Sequence, residues 1–216
     1  NAAEFCAFMP LDRTRRGWDR RLMKAKKSIC VFCGSSGRVD EAYRQAATQF
    51  GTLVGEKGYD LVYGGGHVGL MGIAADAALA AGASVVGVIP KFLQEYEVGH
   101  DGLNELIVTD NMHDRKRIMY ERSDAFVILP GGLGTMDETF EVVTWTQLGL
   151  SKKPVVLANI NGFWDPLMGL IDHLVTTGFA REENRSIIQV ANSVEEIFPM
   201  VASVPVTRGS VDSKWV

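Results

Sequence analysis

From Ser28 onward, short apolar runs alternate with longer stretches of helical periodicity. Ile29 to Phe32, Leu61 to Tyr63, Val85 to Ile89, Ala125 to Leu129, Val155 to Ala158 and Ile187 to Val190 read as strands. They are almost wholly apolar rather than alternating, as strands covered on both faces are. Between them, apolar residues recur at three- and four-residue spacing. This predicts helices over about 40–56, 69–81, 114–121, 135–148, 164–176 and 194–201. In the first, Ala42, Ala46, Phe50, Leu53 and Val54 form the apolar stripe. Gly82 and Pro90 punctuate the second helix and the third strand. Residues 91–111 are expected to be irregular, with one extended piece near Leu106 to Val108.

Strand then helix, repeated about six times, predicts an α/β, single-domain, doubly wound Rossmann-like three-layer fold with a mostly parallel sheet. The domain is expected over residues 28–204, after a basic N-terminal extension, 1–27, and before a flexible tail, 205–216. Composition agrees: 216 residues, 46% apolar and 22% charged, suit one globular domain that needs no staples. No run approaches the ~18 apolar residues of a membrane span, so no membrane role is expected. Three cysteines and no secretory pattern point to a reducing compartment, the cytoplasm. A net charge of −4 argues against nucleic acid as a partner. The charge is uneven: residues 1–27 hold eight basic and three acidic residues, +5, leaving 14 basic and 23 acidic, −9, in the rest. The extension reads as an exposed or interface helix over Arg13 to Lys27.

In doubly wound sheets, ligands bind beyond the carboxyl ends of the strands. Three turns there are rich in small residues: Cys33 to Gly37, Gly64 to Gly72 and Pro130 to Glu138. Glycine lets a ligand approach the backbone, and the next helix offers unpaired N–H groups and a positive dipole end. One such turn is equally explained by tight strand-to-helix packing; three at one edge point to a bound anion. Gly64-x-Gly66-x-x-Gly69 lacks the acidic residue that binds a dinucleotide ribose, since Ile89 is followed by Pro90. No Gly-Lys-Ser/Thr phosphate loop occurs either. A mononucleotide or sugar phosphate is the better expectation. In the third turn, Thr135 could cap the helix or donate to a phosphate. Asp137 and Glu138 are expected in the first helical turn, where a carboxylate commonly just complements the dipole.

Other chemistry-bearing residues point elsewhere. Cys30 and Cys33 have C-x-x-C spacing but straddle a strand, where positions three apart face opposite ways, so they read as buried structural thiols. His67 and His113 flank the proposed site, whereas His100 and His173 show no partner spacing, and no metal is expected. Trp145 reads as core or interface.

Two motifs carry a resemblance. Met112 to Met119 fits M-H-x-R-K-x-x-M, and Pro130 to Glu138 fits P-G-G-x-G-T-x-x-E. Both resemble the LOG family of cytokinin riboside 5′-monophosphate phosphoribohydrolases, as do Val31 to Ser36 and Gly64 to Gly72. The resemblance covers about Lys27 to Val201. It implies hydrolysis of the N-glycosidic bond of an adenosine-type 5′-monophosphate to the free base and ribose 5-phosphate, with no metal or organic cofactor. It puts Arg115 and Glu138 on the catalytic pair. Lys116, Gly131, Gly132, Leu133, Gly134, Thr135, Glu97 and Thr144 fall on nucleotide-binding positions, and Gly65 and Gly66 are expected to join them. A homodimer with its sites near the subunit interface is implied.

The chemistry is consistent with these residue types. Breaking a ribose–base bond passes through an oxocarbenium-like state, as in glycoside hydrolysis. Glu138 could stabilise that charge or direct a water. Arg115 could hold the phosphate or polarise the leaving base. Two rival readings are an AMP nucleosidase without a hormone role and a non-catalytic nucleotide-binding module. A carboxylate beside an anion site weighs against the second. The older label of the family, a lysine decarboxylase, needs a lysine to hold pyridoxal phosphate. Only Lys116 is near, and beside Arg115 it reads as a phosphate contact.

Overall fold

The computed structural model describes residues 26–94, 100 and 102–203. Seven strands form one sheet: β1 Ser28–Phe32, β2 Asp60–Tyr63, β3 Val85–Pro90, β4 Glu105–Thr109, β5 Ala125–Ile128, β6 Val155–Ala158 and β7 Ile188–Ala191. Their order is β4-β3-β2-β1-β5-β6-β7, and every neighbouring pair is parallel. The helices are α1 Glu41–Glu56, α2 Leu70–Ala80, the single turn α3 Lys91–Gln94, α4 Met112–Glu121, α5 Leu133–Gln147, α6 Asp165–Thr176 and α7 Val194–Ala202.

Two cores lie on the two faces of the sheet. Alternation along β1 divides them: Ile29, Val31 and Cys33 pack under α1, α2 and α7, while Cys30 and Phe32 pack under α4, α5 and α6. The α1 stripe delivers Phe50 and Val54, both fully buried, to the first core. Met119, Val142 and Trp164 fill the second. Each such large apolar side chain contributes about 1.5–3 kcal/mol on burial. The two cysteines are therefore free thiols in opposite cores, as their spacing implied.

Three boundaries differ from the sequence reading. The extended piece expected near Leu106 to Val108 is a full strand, 105–109, which pairs along most of β3 as the edge of the sheet. The half-exposed pattern of β4 reflects that edge position, and it hides the strand from an apolar-run criterion. Helix α4 begins at Met112, because the Asn111 side chain accepts from the Asp114 N–H at 2.9 Å and caps it there. Helix α5 begins at Leu133, because Gly132 is extended and serves as its cap without a side chain. Asp137 and Glu138 consequently lie in the second turn, and no acidic residue occupies the first. The expected extension and tail lie outside the described residues, apart from Lys26 and Lys27. Among those residues, no helix is long and apolar enough to cross a membrane.

The strand order reverses at β1, whose neighbours are β2 and β5. Chain connections leave this point in opposite directions, so a crevice opens beyond the carboxyl ends of β1 and β5. The β2 side of the crevice depends on close packing of α1 on α2. A Cβ on Gly51 would lie 2.2 Å from the Ala74 carbonyl oxygen and 2.8 Å from Ala77 Cβ.

Gly51→Ala sets helix propensity, which favours Ala by about 0.8–1 kcal/mol, against overpacking of roughly 1–3 kcal/mol. Packing is expected to win, so the urea midpoint should fall with an unchanged slope. A raised midpoint would show that the α1–α2 contact is looser than described.

Candidate active site

Main-chain hydrogen bonds fix the crevice edges. The Gly34 N–H donates to the Pro130 carbonyl at 3.0 Å, and the Leu70 N–H donates to the Gly34 carbonyl at 3.0 Å. The turns after β1 and β5 and the start of α2 are thereby joined. Gly131 leaves no room for a side chain: a Cβ there would lie 2.2 Å from Thr135 Oγ1 and 2.9 Å from the Gly34 nitrogen. The resulting cleft is lined by Cys33, Gly34 and Ser35 from the β1 turn, Met71 from α2, Met112 and Arg115 from α4, and Gly132 to Thr135 with Glu138 at α5.

One end of the cleft suits an anion. The first hydrogen bond of α5 runs from the Met136 N–H to the Gly132 carbonyl. The amides of Leu133, Gly134 and Thr135 therefore have no acceptor within the helix, and the dipole adds positive potential. Thr135 does not cap the helix; Gly132 does, and the Thr135 side chain is buried in the cleft wall.

The other end carries a buried pair. Arg115 is 7% exposed and Glu138 8%. The Arg115 Nε–H donates to the Val88 carbonyl at 3.1 Å, and Nη2–H donates to the Gly64 carbonyl at 3.2 Å. Both carbonyls lie at or near the carboxyl ends of their strands, β3 and β2. Only Nη1 turns toward the cleft, 3.6 Å from Glu138 Oε1 and 3.9 Å from Met112 Sδ. Gly64 is required for this seat, since a Cβ there would lie 2.1 Å from Nη2. With two of its three nitrogens bound to backbone, Arg115 faces the carboxylate rather than the anion end. Beside it, burial and then the negative charge of Glu138 push the Cys33 thiol far above its ordinary range, so that thiol stays neutral.

The structure brings Arg115, Glu138 and Gly132 to Thr135 together, with Gly131 shaping their turn. It does not bring Lys116 to the cleft wall. That ammonium sits 3.2 Å from Asp137 Oδ2 and 3.0 Å from Glu141 Oε2 on α5. Burial pulls its pKa down, but hydrogen bonds to Glu141 and Asp137 outweigh this and raise it above the ordinary value. Thr144 is exposed and lies well along α5 from the cleft. Gly65 and Gly66 are buried off the cleft wall; Gly65, at φ +79°, lets the β2 turn pack against Ile89 and Gly87. Glu97 lies outside the described residues.

One cluster escaped the sequence reading. His67, Asp76 and His100 place their ligand atoms within 4.8 Å of one another, so His100 does have partners. The Gly102 N–H donates to His100 Nδ1 at 3.1 Å, which assigns the ring proton to Nε2, 2.7 Å from Asp76 Oδ1. His67 Nε2 lies 3.4 Å from Asp76 Oδ2. A coordinating His100 would need its proton on Nδ1, directly opposite the Gly102 N–H. The cluster is thus wired for hydrogen bonding rather than for a cation. No local spacing signals it, because the three residues come from separate segments.

Comparison with known proteins follows the same residues. The family model described as "Possible lysine decarboxylase" matches residues 71–201. Among the described residues that line the cleft there is no lysine of the kind a pyridoxal phosphate Schiff base needs. The cytokinin riboside 5′-monophosphate phosphoribohydrolase LOG of Oryza sativa subsp. japonica is 46% identical over 171 residues, which are 79% of this chain and 71% of that one. LOG7 of Arabidopsis thaliana, with the same activity in its name, is 42% identical over 190 residues, 88% of each chain. Among solved structures, the molybdenum cofactor binding protein from Rippkaea orientalis superposes with a TM-score of 0.63 at 22% identity, over 83% of this chain and 97% of that one. The molybdenum cofactor carrier protein of Chlamydomonas reinhardtii gives 0.60 at 24% identity, over 80% and 93%. At those identities the structural likeness establishes the three-layer parallel fold alone. The family match and the relatives at 42–46% identity go further: the chain belongs to the LOG family.

Proposed function

We propose that this protein hydrolyses the N-glycosidic bond of a cytokinin riboside 5′-monophosphate, releasing the free base and ribose 5-phosphate. The observation that carries this reading is the buried Arg115–Glu138 pair at one end of a cleft whose other end is the bare N-terminus of α5. A nucleoside monophosphate spans such a cleft with its phosphate on the amides of Leu133, Gly134 and Thr135. Its ribose then lies toward Glu138. The relatives named above act by name on cytokinin riboside 5′-monophosphate, which supports that substrate class.

Each group has a task in this reading. The phosphate anchor contributes remote binding energy that orients the ribose. The Glu138 carboxylate stabilises positive charge developing at C1′ and directs a water onto it. The water oxygen ends on C1′, the bonding pair leaves with the base, and the released proton ends on the base nitrogen. Arg115 compensates the buried carboxylate and fixes its position. We read it as the partner of Glu138 more than of the phosphate, since the Nε–H and one Nη2–H donate to the Val88 and Gly64 carbonyls and Nη1 faces the carboxylate. These steps call on no cofactor.

We further assign a homodimer and a cytoplasmic location. The support for the first is α5 itself: Leu133, 82% exposed, and Phe140 lie seven residues apart on one face, and exposed Leu150 follows the helix. A second copy covering that face would lie beside the cleft. The support for the second is the low cysteine count, three in 216 residues.

Incubation with AMP and isopentenyl-AMP, side by side, should yield base and ribose 5-phosphate, and faster from the substituted nucleotide. Equal rates would favour a plain AMP nucleosidase; no release from either would overturn the reading. Glu138→Gln should lose on the order of 10²–10⁴ in turnover while still binding ribose 5-phosphate by calorimetry. Full activity in that variant would remove Glu138 from the chemistry. Light scattering should give twice the chain mass, and Leu133→Asp with Phe140→Asp should halve it.

A further inference from the structure

The helix start and the carboxylate serve the phosphate and the ribose of a nucleotide; its base needs a surface of another kind. Among the described residues lining the cleft none is aromatic, and three have large apolar side chains: Met71, Met112 and Leu133. Leu133 stands at the anion end and is 82% exposed. Met71 is buried, and its Sδ lies 3.1 Å from where a Cβ on Gly64 would be, so it packs behind the seat of the Arg115 guanidinium. Met112 differs from both. It is half-buried, and its Sδ lies 3.9 Å from Arg115 Nη1, the nitrogen that faces Glu138 Oε1 at 3.6 Å.

Local structure sets this position. Met112 is the first residue of α4. The Asn111 side chain caps the helix by accepting from the Asp114 N–H, and the Thr109 hydroxyl donates to the Asn111 carbonyl at 3.1 Å. A spacing of three then puts Met112 and Arg115 on one face of α4. The main chain is fixed, while the unbranched side chain, with three rotatable bonds, stays adaptable.

The connectivity of a nucleotide supplies the rest. The base is bonded to C1′, the atom that the hydrolase reading places beside Glu138. A base pointing away from the phosphate passes the Nη1 end of the guanidinium and meets the Met112 thioether. Sulfur makes favourable contacts with aromatic rings, and an adaptable thioether fits apolar groups of differing shape.

We propose that Met112 carries the base. Its thioether packs on the purine ring and on an apolar substituent of the exocyclic amine, and so sets a preference for substituted adenylates over AMP. The place of C1′ in this proposal rests on the hydrolase reading above.

The test is calorimetry on the Glu138→Gln protein, with ribose 5-phosphate, AMP and isopentenyl-AMP as probes. Adding Met112→Ala should weaken AMP roughly tenfold and isopentenyl-AMP roughly a hundredfold, as lost apolar contacts do, and leave ribose 5-phosphate, which has no base, unchanged. Met112→Leu, close in volume, should restore most of the isopentenyl-AMP binding. Equal weakening of all three ligands would show that Met112 only packs Arg115, and would overturn the proposal. So would unchanged binding of both nucleotides, an unchanged ratio between them, or no measurable binding of either to the Glu138→Gln protein. With Glu138 in place, Met112→Ala should cut the kcat/KM advantage of isopentenyl-AMP over AMP by roughly tenfold. If the unaltered protein cleaves neither nucleotide, the hydrolase reading falls, and the binding comparison alone decides the role of Met112.

Discussion

A buried guanidinium bound to two main-chain carbonyls sets the geometry of the whole cleft. Arg115 comes from α4, yet its position is dictated by the ends of β2 and β3 through Gly64 and Val88. An unpaired charge at 7% exposure would be costly, so its third nitrogen needs a negative partner. Glu138 is that partner, and it stands on the helix after β5, across the point where the strand order reverses. The pair therefore joins both halves of the sheet. The glycine at position 64 follows from this arrangement, since any side chain there would displace the guanidinium.

The architecture was legible in the chain because the inner strands are doubly covered and hence nearly all apolar. β4 was legible only as a short extended piece, because an edge position leaves Glu105 and Val108 exposed and breaks the apolar run. α5 starts two residues before the sequence pattern places it, since a glycine cap at Gly132 leaves no side-chain signal. The cleft residues Arg115, Glu138 and Gly131 to Thr135 were found through paired motifs, not through periodicity. What no motif conveyed was direction. Whether a cation on α4 faces the cleft or the neighbouring helix depends on how α4 lies against α5, which is a tertiary fact. Lys116 turned sideways and Arg115 inward, although they are adjacent in sequence. The His67–Asp76–His100 cluster was hidden for the same reason, its members being 9 and 24 residues apart along the chain.

Helix α5 concentrates several tasks in one rigid element. Its first turn offers amides to an anion, its second carries Glu138, and its outer face shows Leu133 and Phe140. Anything that tilts α5 alters all three together. A contact along the outer face can therefore reach the carboxylate without any intervening loop. The same economy makes the helix start intolerant, with Gly131 wedged between Thr135 and Gly34.

An anion seated on the start of α5 would be held by main-chain amides, with no lysine or histidine among the described residues lining the cleft. Amides do not titrate, and they survive most side-chain replacements. Recognition of the phosphate should then be nearly indifferent to acidity, varying only as the ligand's own second ionisation, near pH 6, is crossed. Capture and cleavage would thereby rest on different groups of one helix, main-chain amides for the first and a carboxylate for the second.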